Sequence, residues 1–131
     1  MENANILKYI KALGNKALFV GRANENKIRS IEQELGVNLP ESYKFFLRDY
    51  GLAVLPGFEI LGNGLSTVPA CVESTLDWRK YGLPQSMVVI EDEGTDWIYC
   101  IETSEIKFGE CPIIDWEQNR GVGKERYENF F

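Results

Sequence analysis

Histidine is absent from this 131-residue chain, and that one omission removes the commonest general acid/base and the commonest metal ligand together. No His-centred catalytic triad can be built. Zinc would have to rely on cysteine, and the three present, Cys71, Cys100 and Cys111, are an odd number without short spacing. The same count argues against a secreted disulfide framework. The three read instead as free, buried or half-buried thiols of a reducing cytosol. Long apolar runs are missing as well, and nothing approaches the roughly twenty residues a membrane span requires. The opening MENANILKYIKAL is broken by Lys8 and Lys11 and lacks a small-residue cleavage site, so it does not read as a signal peptide. There is no G-x-x-x-x-G-K-S/T segment. Gly62 and Gly64 frame a G-N-G turn, and Gly121 and Gly123 look like a second turn, which disfavours nucleotide binding. Paired carboxylates are the remaining acid/base route, but no Asp or Glu stands in an evidently apolar setting, and catalysis is not expected. No cofactor or metal is expected either.

What is there is ordinary in amount and uneven in placement. Apolar content of 44% and charged content of 26% suit a globular chain whose length is that of one domain, 1–131. Net charge is −6. Residues 1–50 carry eight Lys/Arg against six Asp/Glu, whereas residues 51–131 carry six against fourteen. An acidic face of that kind repels nucleic acid and steers basic partners toward itself. The plainer alternative is a solvated surface that keeps the chain soluble.

Hydrophobic periodicity predicts helices first and strands afterwards. Ile6, Leu7, Ile10 and Leu13 have helical spacing closed by Gly14, and Asn24 is a cap for a second helix with Ile28, Ile31 and Leu35 inward. That helix ends at Leu35-Gly36. Leu39-Pro40-Glu41 restarts the chain, with proline tolerated at the first helical position and Glu41 facing the positive end of the helix dipole. Tyr43, Phe46, Leu47 and Tyr50 then form an aromatic stripe that stops at Gly51. Phe58 to Leu61 reads as a short strand and Asn63 to Thr67 as a loop. Ala70 to Tyr81 reads as a fourth helix with Val72, Leu76 and either Trp78 or Arg79 inward. Met87 to Ile90 and Trp97 to Ile101 are β-prone, and the acidic turn Glu91 to Asp96 joins them as a hairpin. Pro112 to Trp116 is another strand. Lys124 to Phe131 predicts the start of a C-terminal helix, with Tyr127, Phe130 and Phe131 on one face. The fold class expected is α+β, with N-terminal helices packed on a mostly antiparallel sheet.

In order and spacing these residues resemble the SUKH superfamily, which includes yeast cell-wall assembly regulators and many bacterial immunity proteins. The matched pieces are E-x-x-L-G at Glu32 to Gly36, then Leu39-Pro40, Phe46-Leu47, Tyr50-Gly51 and the strand Phe58 to Gly62. The likeness continues in outline through Leu83-Pro84, Met87 to Ile90, Gly94, Asp96 to Ile101 and Pro112 to Trp116. It covers the chain from Asn24 onward. Relatives tend to carry a longer final helix, so the chain reads as trimmed at its C-terminus.

The resemblance implies a binding protein: a cytoplasmic antitoxin that neutralises a cognate polymorphic toxin, whose typical form is a nuclease with a basic, phosphate-gripping cleft. Carboxylates presented in place of phosphates would compete for such a cleft. The resemblance hands over no fixed binding residues, so these are read from charge and aromatic placement: Glu91, Asp92, Glu93 and Asp96 on the hairpin, with Trp97, Asp115, Trp116 and Glu117 beside them. Trp78, Trp97 and Trp116 each adjoin an acidic residue, a pattern shared by interface anchors and by plain core tryptophans. A calcium loop at Glu91–Asp96 is disfavoured, because Gly94 is only its fourth residue and helical flanks are missing. A regulatory scaffold without a toxin is the alternative function. Self-association through the third helix or a sheet edge stays open.

Overall fold

The computed structural model describes residues 6–130, with side chains from Ile10 onward. α1 (Ile6–Leu13) passes through one 3₁₀ turn into β1 (Leu18–Val20). The inward side chains expected of Ile6 and Leu7 lie outside the described residues, while Ile10 is buried. α2 (Glu25–Leu35) starts at Asn24, whose side chain accepts a hydrogen bond from the Lys27 amide at 2.8 Å. It ends at Gly36, left-handed at φ 70°, with the Gly36 and Val37 amides donating back to the Glu32 carbonyl. The Glu32 carboxylate accepts from the Leu39 amide at 2.8 Å and pairs with Lys44 at 3.7 Å. The E-x-x-L-G segment thus ties one helix to the next.

α3 (Glu41–Asp49) has Pro40 as its N-cap, one position earlier than expected, and buries Tyr43, Phe46 and Leu47. Then come β2 (Leu52–Leu55), β3 (Phe58–Ile60), α4 (Ala70–Arg79), β4 (Met87–Asp92), β5 (Trp97–Glu102), β6 (Ile113–Glu117) and β7 (Gly121–Tyr127). The strands form two antiparallel sheets, β1-β2-β3 and β4-β5-β6-β7. With the helices, this is the α+β class expected.

The outer edge of β4 is covered. Its Ile90 carbonyl accepts from the Leu61 amide at 2.8 Å, joining the two sheets, and its Val89 amide donates to the Thr75 hydroxyl of α4 at 2.9 Å. β4 is also buried on both faces, which is why it reads as a continuous apolar run. Val88 and Ile90 join the main core with Ile31, Tyr43, Phe46 and Ile113. Met87 and Val89 join a second cluster with Ile98, Cys100, Ile114 and Trp116. Each fully buried large side chain contributes on the order of 1.5–3 kcal/mol. All three cysteines are buried and free, and burial pushes the Cys71 and Cys111 thiols up to about 11.

Two expectations need correction, and two strands went unread. The C-terminal helix is instead β7: Ile113 pairs with Tyr127 and Trp116 with Val122. A segment this short cannot hold a helix unaided, whereas β6 offers a ready ladder. Phe130 then folds back onto Tyr43 and Phe46, with ring centroids 5.2 and 5.3 Å apart. The part of that expectation resting on Phe131 lies outside the described residues. α4 buries Cys71, Val72 and Thr75, while Leu76 is exposed, because the hydroxyl of Thr75 is needed at the β4 edge. β1 and β2, finally, give no sequence signal; runs of three and four residues are too short for periodicity to resolve.

Where the end of β1 meets the two loops, glycine backbones touch. A Cβ on Gly51 would collide with Gly21, and one on Gly62 would collide with the Gly51 carbonyl. Asn63 bridges this junction, donating from its side chain to the Gly21 carbonyl and from its amide to Gly51, each at 2.9 Å. The G-N-G turn is therefore a packing element.

Candidate protein-binding face

Alternation along the second sheet sorts its residues cleanly. Ile98, Cys100, Ile114 and Trp116 point toward the α4 side. Trp97 and Tyr99 of β5 and Asp115 and Glu117 of β6 point the other way, cross-strand partners in the pairs Trp97↔Glu117 and Tyr99↔Asp115. β4 adds Glu91, opposite Tyr99. On β7, Glu125 donates its amide to Asp115 at 3.0 Å, and its carboxylate accepts from the Tyr99 hydroxyl at 2.5 Å. The result is a face in which carboxylates and aromatic rings alternate across four strands.

Asp115 organises it. One carboxylate oxygen accepts from the Trp97 indole N–H at 2.8 Å and the other from the Glu125 amide. Gly123 leaves the room: a Cβ there would overlap the Asp115 carboxylate. Trp97 stays exposed, its ring against Tyr99 at 5.0 Å. Burial, then the bond to Glu125, pushes the Tyr99 phenol up, so it remains a donor. Glu91 is half-buried; burial first, then the negative charges of Glu93 and Glu125, raises its carboxyl above the usual range.

Of the eight residues singled out from sequence, Glu91, Trp97, Asp115 and Glu117 share this face, and Glu93 and Asp96 are exposed on the adjoining turn. Asp115 lies beneath Trp97 rather than beside it, and is buried. Asp92 and Trp116 point to the opposite side. Trp116 is a core residue, edge-on to Trp78 at 5.9 Å. Asp92 accepts from Trp78 Nε1 at 2.7 Å, Ser74 Oγ at 2.9 Å and the Gly94 amide at 3.0 Å. It pins the hairpin to α4 and has little left to offer a partner. Glu117 pairs with Arg120 at 3.6 Å. Sequence reasoning missed Tyr99 and Glu125; the strand pairing of β7 is what brings them in, and a helix reading of that segment hides it.

Such a face holds no activated nucleophile. Half-buried carboxylates rimming an exposed indole suit a cationic partner, which gains ion pairs and cation–π contact together. Among the described residues, no group of Cys, Asp or Glu is placed to hold a metal ion, and no helix is long and apolar enough to cross a membrane.

A protein-family model described as SUKH_5, SMI1-KNR4 cell-wall, matches residues 3–131. A crystal structure of a protein from Pseudomonas syringae pv. tomato shares the fold, with a TM-score of 0.69 over 93% of this chain and 89% of that one at 21% identity. Since the family model spans nearly the whole sequence, this chain belongs to the SMI1-KNR4 family of the SUKH superfamily.

Proposed function

We propose that this protein is a cytoplasmic immunity protein, without catalytic activity, that binds and neutralises a cognate bacterial toxin with a basic nuclease cleft. Membership of a superfamily rich in immunity proteins supports the reading. The observation that carries it is the face built on Asp115, where Glu117 stands opposite the exposed Trp97 and Glu91 and Glu125 flank the neighbouring Tyr99. Carboxylates fixed in a sheet present negative charge to a phosphate-binding cleft without being cleavable, and long-range attraction speeds encounter. Trp97 is the anchor, with Glu93 and Asp96 as the steering rim.

The test is capture from the native host, followed by co-expression with the leading basic toxin domain and a salt titration of the complex. Rescue of growth and binding that weakens with salt are expected. Glu91→Gln, Glu93→Gln and Asp96→Asn together should slow association. Asp92 is best left intact, because its loss frees the hairpin from α4. A family description that names the cell wall favours a second reading, a scaffold for housekeeping proteins. Capture of several such proteins and no toxin would sink the immunity reading.

A further inference from the structure

The sheet edges of this protein are protected unequally. β4 is covered by α4 and Leu61, and β7 carries Lys124, Glu125 and Arg126, both recognised ways of blocking strand addition. β1 has neither. Its three residues, Leu18, Phe19 and Val20, are all exposed, Leu18 by 62%. No charge, proline or bulge interrupts it, and among the described residues β2 is its one strand neighbour. Charge begins two residues beyond each end, at the exposed Lys16 and Arg22. Its C-terminal end is fixed by the Gly21–Asn63 bond and the glycine junction, so the edge is preorganised.

A second copy of this chain is a poor occupant. Two-fold antiparallel pairing centred on Phe19 would set Lys16 opposite Arg22 at both ends, and like charges directly opposed are destabilising. An extended segment with apolar residues at its centre and a carboxylate at each end reverses both contacts. We propose that the outer edge of β1 receives such an acidic strand from a partner protein by β-augmentation. Backbone hydrogen bonds supply affinity, Leu18 and Val20 cover the incoming apolar side chains, and Lys16 and Arg22 select acidic ends. This surface belongs to the first sheet and is separate from the acidic face, so its failure would leave the immunity reading untouched.

The probe is acetyl-Glu-Thr-Val-Thr-Val-Thr-Glu-amide, compared with its Lys-ended counterpart, titrated into the ¹⁵N-labelled full chain. The acidic peptide is expected to shift the amide signals of residues 17–22, at least tenfold more tightly than the basic one. In Lys16→Glu/Arg22→Glu, both sites being exposed, the preference should invert. Equal response to both peptides, no response at millimolar concentration, or an unchanged preference in the double variant overturns the proposal. So does a wild-type dimer whose β1 amides are protected from exchange, which would put a second copy on that edge.

Discussion

Glu110 caps α3 from sixty-eight residues away, its carboxylate accepting from the Ser42 amide at 3.0 Å and the Ser42 hydroxyl at 2.5 Å. Pro40, the N-cap by position, has no side-chain donor or acceptor, so the free amides of the first turn turn to the loop before β6. The Gly109 carbonyl takes the Glu41 amide at 3.0 Å beside it. A carboxylate there also faces the positive end of the helix. Replacing Glu110 by Ala should therefore cost about 1–2 kcal/mol, the usual range for a lost cap. Urea denaturation checks it, with the exposed Glu128→Ala as control. Loss of no more than a few tenths would mean that water replaces the carboxylate.

The same loop carries an aromatic residue where the backbone does not favour one. Lys107 and Glu110 exchange both backbone hydrogen bonds across a two-residue turn, and Phe108 and Gly109 at its centre have φ 53° and 81°. That is the pattern of a type I′ turn, which Asn-Gly fits far better than Phe-Gly. Phe108 is the one described non-glycine residue with positive φ and is 96% exposed, so no packing offsets the strain. Phe108→Asn is expected to stabilise the protein by roughly 1 kcal/mol. A rise in Tm of several degrees is the readout. A fall would show that the phenyl ring makes contacts worth more than the strain.

Much of the helical half was legible in the sequence because its signals are local. Asn24, Gly36 and Gly51 mark helix ends through bonds made within a few residues, and Tyr43, Phe46 and Leu47 declare a buried stripe by spacing alone. The hairpin of β4 and β5 was equally readable, since its apolar runs flank an acidic turn. The functional face was half legible. Glu91, Trp97 and Glu117 follow from β5 and its neighbours, but Asp92 and Asp115 are set by partners elsewhere in the chain. Trp78 and Trp97 adjoin Asp77 and Asp96 in sequence, yet their indoles bond to Asp92 and Asp115, which only the fold brings near. At the end of the chain, Tyr127 and Phe130 satisfy a helical spacing, and only pairing with β6 decides for strand up to Tyr127.

Asp115 is a residue that its amide cannot replace. Each of its oxygens accepts one hydrogen bond, from Trp97 and from the Glu125 amide. Asparagine keeps one acceptor and turns an N–H against a donor. Asp115→Asn should destabilise by about 1–3 kcal/mol, the cost of leaving a partly buried donor without its acceptor, and release Trp97, with a red shift of its fluorescence. Gly123→Ala reaches the same carboxylate from β7 and should cost a similar 1–3 kcal/mol through overpacking. Because the two share one partner, their double variant should cost less than the sum. Strict additivity would mean the two act on different contacts.

Glu91 gives the face a pH response whose sign differs between folding and binding. Burial, Glu93 and Glu125 raise its carboxyl in the folded state, so the native protein holds that proton more tightly than the unfolded chain does. Its ionisation consequently costs stability as pH rises, from the unfolded carboxyl range through the raised folded value. Glu91→Gln should be more stable than wild type at pH 7, with the difference vanishing below the ordinary glutamate range, where Glu91 is neutral in folded and unfolded chain alike. A cationic partner acts oppositely, since it favours the ionised form and binding then releases a proton. Affinity for a basic toxin should rise with pH across the Glu91 titration, and Glu91→Gln should flatten that rise while binding more weakly at neutral pH. Thermal melts and isothermal titration at matched ionic strength separate the two. If Glu91→Gln flattens the stability profile but leaves binding and its pH dependence unchanged, the toxin does not contact this carboxylate, and the partner surface has to be sought elsewhere on the protein.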